Sequence, residues 1–187
     1  MPEVIIDPNH RYWVGGNLIP SVSNILDVFF PPSCFYTEEG RTNGHERHEW
    51  YSYLAQGIEP DFAPDEKISG AVKGFRKYLA EVKPEYVSGE IPYYHPILRF
   101  CGTPDSVSKI SGQLAVVDYK PKAKNKRTIA QTAFYYLLLN ANAIPVRTRY
   151  ELRLYDGIYR LENHLDPQDM RRAEILVAAY HASQFYK

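Results

Sequence analysis

Two strand-like runs meet at Ser111-Gly112 in the stretch "CGTPDSVSKISGQLAVVDYK", residues 101–120. A Ser-Gly pair between such runs signals a tight turn, and a hairpin centred there has one register. That register sets Asp105 directly against Asp118, with Cβ atoms about 5 Å apart if pairing is regular. The continuous apolar run "LAVV" suits a strand buried on both faces, so the two carboxylates fall where the dielectric is low. Facing like charges destabilise a sheet. Two remedies exist: a shared proton, which raises one carboxyl pKa, or a hard divalent cation, for which paired carboxylate oxygens are suitable ligands. Strand alternation puts Lys120 on the same face as Asp118, where an ammonium can stabilise charge on an attacking water or on a phosphate under attack. The competing reading is an exposed hairpin edge carrying Asp and Lys for solubility. Pro104 lacks a ladder donor, and a bulge there would disturb the register where it matters.

The rest of the chain supports a mixed α/β reading. "HRYWVGGNLIPSVSNIL" predicts two short strands around Gly15-Gly16, then a helix opened by Pro20 and Ser21 and closed by Pro31-Pro32. Further helices are predicted over about 42–55 and from near Pro64 to about Val82, where Val72, Phe75 and Leu79 keep a helical period. "VSGEIPYY", "ILRFCGTPDSVSKI" and "QLAVVDYK" read as three strands, followed by a helix from Thr128 to about Asn140. A hairpin at Asp156-Gly157 and a last helix opened by Asp166-Pro167 complete the chain. The order predicts one domain over 1–187: a hairpin and helices over 1–85, then a core over 86–187 with a mixed sheet.

Composition narrows the function. Lys plus Arg number 22 and Asp plus Glu 22, so no global field draws the chain to nucleic acid, and any such contact must come from a local patch. The loop "KPKAKNKR", 120–127, is that patch, and Lys122, Lys124, Lys126 and Arg127 are candidates to neutralise phosphate. Only two cysteines occur, with no CxxC pair and no signal peptide, which points to a reducing cytoplasm. Apolar runs such as "FYYLLL" are too short to cross a bilayer. No phosphate loop of the G-x-x-x-x-G-K-[ST] type is present, and the H-E-x-x-H order of zinc proteases is absent. The 16 tyrosines suit a core, or stacking on bases.

"GTPD" at 102–105, "VVDYK" at 116–120 and "QTAFY" at 131–135 resemble, in that order, the G-x-x-D, D-x-K and Q-x-x-x-Y signature of the PD-(D/E)XK nuclease superfamily, in its RecB-like and phage-exonuclease branch. "GRTNGHERHEW" is similar to that branch's G-T-x-x-H-like helix and matches His45 rather than His48; the amino-terminal segment resembles those that open many phage-encoded members. "DYKPKAK" departs from the commoner "DYKTG" ending. The resemblance implies a restriction-endonuclease-like core with helices flanking a central mixed sheet. It implies a deoxyribonuclease in which Asp105 and Asp118 ligate Mg²⁺ or Mn²⁺, the Tyr119 backbone carbonyl completes the shell and Lys120 handles the water. Glu90, on the preceding predicted strand, matches an additional acidic residue, and His45 an extra ligand.

The resemblance also places Gln131 and Tyr135 at the site, touching the DNA strand or orienting the lysine. Thr128 and Gln131 form a T-x-x-Q capping box, so Gln131 has a purely structural alternative. The function implied is a phage-type exonuclease acting on linear DNA in recombination or repair, with a single-strand annealing protein or a helicase as candidate partner. A binding module of the same fold without turnover and a structure-selective endonuclease are the alternatives.

Overall fold

The computed structural model describes residues 2–31, 38–121 and 126–185. Three short strands open the chain, β1 (Val4–Ile6), β2 (Tyr12–Val14) and β3 (Asn17–Ile19), paired antiparallel in that order. Helix α1 (Val22–Phe29) follows directly. Ser21 caps it with a reciprocal box: its hydroxyl accepts from the Asn24 N–H at 3.0 Å, and the Asn24 side chain accepts from the Ser21 N–H at 2.9 Å. Two longer helices come next, α2 (Glu38–Ala55) and α3 (Glu66–Val82), the second ended by Lys83 in the left-handed conformation.

The strands that follow do not run as the sequence suggested. The segment 97–110, read as one strand, is β6 (Phe100–Gly102) and β7 (Ser106–Ile110), and the two lie in different sheets. β6 pairs with β5 (Tyr93–His95), whereas β7 pairs with β4 (Glu85–Ser88) and with β8 (Gln113–Lys120). The break falls at 103–105, where Pro104 has no N–H for a ladder. Glu90, expected on a strand, sits beyond β4 in a turn at φ 54°.

Helix α4 (Lys126–Ala141) crosses over to β9 (Thr148–Leu154), which lies parallel to β8. β10 (Tyr159–Asn163) returns antiparallel, and α5 (Gln168–Phe185) closes the described chain. The five-stranded sheet has the order β10-β9-β8-β7-β4, with β8 at its centre: a mixed sheet with helices against its faces. Alternation along β8 sorts the two halves of the core. Ala115, Val117 and Tyr119 pack with Trp50, Tyr51, Phe75 and Tyr78 of α2 and α3, while Val116 packs with Phe134, Leu138 and α1. Because α4 lies between the sheet and α1 and α5, it buries residues around much of its circumference, from Thr128 to Leu139. A buried ion pair, Arg149 to Asp169 at 3.0 Å, ties β9 to α5. Among the described residues no helix is long and apolar enough to cross a membrane.

Candidate active site

The hairpin around Ser111-Gly112 has the predicted register, with Ser106 opposite Val117 and Ile110 opposite Gln113. Both turn residues take positive φ, 50° and 77°, as a tight two-residue hairpin requires. The ladder stops one pair before Asp105 and Asp118, so these aspartates are not a paired rung. Continued by two steps, the register would set Tyr119 against Pro104. Pro104 has no N–H to offer the Tyr119 carbonyl, and its own carbonyl accepts the Glu90 N–H at 3.0 Å. The Tyr119 N–H instead donates to Asp105 Oδ2 at 2.6 Å. A carboxylate thus replaces a backbone acceptor at the end of the ladder, which fixes Asp105 beside the C-terminal end of β8. An extended residue presents its N–H and C=O on one strand edge, so the Tyr119 carbonyl faces the same side.

Asp118 is wholly buried. Its Oδ2 lies 2.8 Å from the Lys120 ammonium, and Oδ1 meets no hydrogen-bond donor among the described residues. Burial pushes its carboxyl up to about 7; Lys120 opposes that shift and the neighbouring Asp105 adds to it. An anion this deep, with an unanswered oxygen, is what a cation would satisfy.

The third component is an imidazole. His48 Nδ1 is 3.4 Å from Glu90 Oε1 and 3.6 Å from Asp105 Oδ1. The donor atoms of His48, Glu90 and Asp105 all lie within 4.8 Å of one another. Asp105 foremost, then Glu90, holds the His48 pKa up at about 9 against the opposing effect of burial. A proton on His48 therefore supplies positive charge among the acids in the metal-free protein. Carboxylate oxygens with one imidazole suit Mg²⁺ or Mn²⁺, so the residues present fit such an ion.

His45, expected as the extra ligand, is exposed and stands outside this cluster; the imidazole in it is that of His48, one turn further along α2. The phase of the helix decides the matter. His48 lies three residues before Tyr51, which packs on Tyr119 and Phe75, whereas His45 lies six before it and points away. Glu90 joins the cluster from a turn and not from a strand. The structural alternative for Gln131 falls away, because α4 already begins at Lys126 and Gln131 is no helix cap; its Nε2 donates to the Tyr135 hydroxyl at 3.1 Å. Tyr135 is buried within electrostatic reach of Asp105 and Asp118, and burial with those charges raises its hydroxyl well above the usual range. Of the basic loop, Lys122 and Lys124 lie outside the described residues. Lys126 is exposed at the start of α4, and Arg127 is engaged elsewhere, 2.8 Å from Asp27 and donating to the Phe30 carbonyl at 2.9 Å.

Each residue of the 102–105 turn has a distinct duty. A Cβ on Gly102 would stand 2.9 Å from Val22, 3.1 Å from Tyr135 and 3.2 Å from Leu138, so only glycine lets α1 and α4 close over the turn. Thr103 Oγ1 is 2.9 Å from the Tyr12 hydroxyl. Pro104 ends the ladder, and Asp105 faces the cluster.

This fold, with acids, an imidazole and a lysine at the end of a central strand, defines a class. The sequence pattern of the PD-(D/E)XK nuclease superfamily matches residues 37–184, and the chain belongs to that superfamily. Its members use divalent metals, in keeping with the acidic cluster. Among curated proteins, none matches the chain in sequence. Among solved structures the chain is similar to an alkaline exonuclease, LHK-Exo, from Laribacter hongkongensis, with 13% identity and a TM-score of 0.51 over 88% of this chain and 87% of that one. The same exonuclease in complex with dAMP aligns over 88% and 87% at 15% identity and a TM-score of 0.40.

Proposed function

We propose that the protein is a Mg²⁺- or Mn²⁺-dependent deoxyribonuclease, acting as an exonuclease on linear DNA of the kind used in phage recombination or repair. The observation that carries this reading is the meeting of buried Asp118, paired with half-buried Lys120, with the His48, Glu90 and Asp105 donors at one end of β8. Asp105 and Asp118, with His48, Glu90 and the Tyr119 carbonyl, are the residues that would hold the metal. When bound, the ion supplies charge neutralisation at phosphorus and acidifies water.

The chain's own groups do the rest. The Lys120 ammonium, held by Asp118, orients the attacking water and offsets the charge that grows on the phosphate. Gln131, half-buried on α4 and hydrogen-bonded to the buried Tyr135 hydroxyl, orients the DNA strand or the lysine. Lys126, with Lys122 and Lys124, neutralises backbone phosphates. A cytoplasmic setting, one domain spanning the chain and a single-strand annealing or helicase partner belong to the same reading.

The test is digestion of end-labelled linear and closed circular DNA across a metal series. Linear DNA is expected to be degraded with Mg²⁺ or Mn²⁺ and circles spared, with Asp118→Ala and Lys120→Ala both inactive. Undiminished cleavage in EDTA would overturn the metal mechanism, and cut circles would favour an endonuclease. Binding without cleavage under every metal would identify a module without turnover.

A further inference from the structure

The 102–105 turn carries Asp105, yet no strand pairing holds residues 103–105: β6 ends at Gly102 and the β7 ladder begins at Ser106. Its position depends on individual contacts. Glu90 grips the Pro104 carbonyl from one side, and α1 and α4 crowd Gly102 from another. Tyr119 holds the Asp105 side chain through its N–H, and a further grip comes from β2, through Tyr12.

We infer that Tyr12 is a positioning residue for the metal site, its hydroxyl fixing Thr103 and through it the turn that presents Asp105. This rests on the nuclease reading above and extends it to β1, β2, β3 and α1, which all precede the first residue matched to the superfamily, 37. Three observations carry it. The Tyr12 ring is 4% exposed and packed with Val14, Ile19 and Cys101, so its direction is set without the hydroxyl. The hairpin is docked beside the turn: the Cys101 N–H donates to the Pro20 carbonyl at 2.9 Å, and Ser21 forms an isolated parallel bridge with Cys101. The Tyr12–Thr103 contact therefore joins two surfaces already in register and leaves the turn little freedom. Finally, the hydroxyl lies at the edge of the site, where burial and the charge of Glu90 both raise it above its ordinary value. An uncharged hydroxyl there positions Thr103 without adding another anion. Asp105 must satisfy the Tyr119 N–H and face His48 together, so a small shift of the turn disturbs both.

The test uses the full chain without DNA and measures Mn²⁺ binding by calorimetry, alongside the thermal midpoint. Tyr12→Phe keeps the buried ring, and Thr103→Val keeps the turn's volume. Each is expected to weaken Mn²⁺ binding about tenfold, the scale for losing a residue that orients a metal ligand. The double variant should lose no more than either single one, because both changes break one contact. Ile19→Val, in the same small core, should lower the midpoint and leave Mn²⁺ affinity unchanged. If wild type binds Mn²⁺ and both single variants bind it equally well, or if the two losses add in full, the inference is overturned while the nuclease reading stands. Wild type that binds no Mn²⁺ would remove both. Should Tyr12→Phe fail to fold, Thr103→Val decides alone.

Discussion

Asp118 shows the conflict between holding charge and holding the fold. Its carboxyl is raised to about 7 in the folded protein and is ordinary when unfolded, so ionising it in place costs stability. Asp118→Asn should therefore abolish cleavage and yet raise the melting temperature of the metal-free protein at pH 8 by several degrees. Calorimetry in EDTA beside a digestion assay checks both halves. His48 carries a second pH signature. A proton held to about pH 9 competes with a metal for the same donor, so Mn²⁺ affinity should climb between pH 6.5 and 9, by up to about tenfold per unit. His48→Ala should weaken Mn²⁺ binding and flatten that climb, whereas His45→Ala should do neither. The sequence already held the signal that separates these two histidines: Trp50, Tyr51 and Leu54 mark the buried face of α2, and at about 100° per residue His48 lies about 60° round the helix from Tyr51 but His45 about 120°. Tyr12 carried no such signal: its partner Thr103 is 91 residues away and meets it only through the fold.

At the scale of elements, the β7–β8 hairpin was readable because its turn pair and the apolar run on β8 agree on one register. The break between β6 and β7 was less so. A run of strand-like residues does not reveal that its two halves join different sheets, and only Pro104 hinted at the boundary. The turn carrying Glu90 packs tightly on the turn carrying Asp105. A Cβ on Gly89 would stand 2.4 Å from the Asp105 carbonyl oxygen, a contact that forces the two turns apart. Gly89→Ala should cost about 1–3 kcal/mol of stability and sharply weaken Mn²⁺ binding, measured by denaturant titration and calorimetry. The helix that follows β8 was placed within two residues, but its start before Thr128 removed the capping role from Gln131 and left it to Tyr135. Arg127, read as a phosphate contact, proves to be engaged at the end of α1, a long-range pairing that local sequence does not encode.

For the molecule as a whole, two titrations act in the same direction without metal. The contribution of His48, whose folded pKa is raised, is complete below about 6.5 and lost as pH rises through about 9. The raised Asp118 removes stability between about pH 4 and 7. The metal-free protein should grow less stable as pH climbs toward 9, and Mg²⁺ or Mn²⁺ should reverse the trend. At a hundredfold excess over its dissociation constant, the ion is expected to add about 2.7 kcal/mol, a rise of roughly 5–10 °C in melting temperature. Asp105→Ala should erase that rise, and scanning fluorimetry with and without EDTA measures it. The groups proposed to act on the phosphate come from residues 48, 90, 105, 118 and 120, with 12 and 131–135 in support, and β8 gains its parallel neighbour only after α4 has crossed the sheet. Such a site cannot form early on the ribosome: a chain halted before β9 lacks the neighbour that fixes the catalytic strand. The topology delays assembly of the cutting machinery until most of the protein has been synthesised, so truncated products should be harmless to the DNA around them.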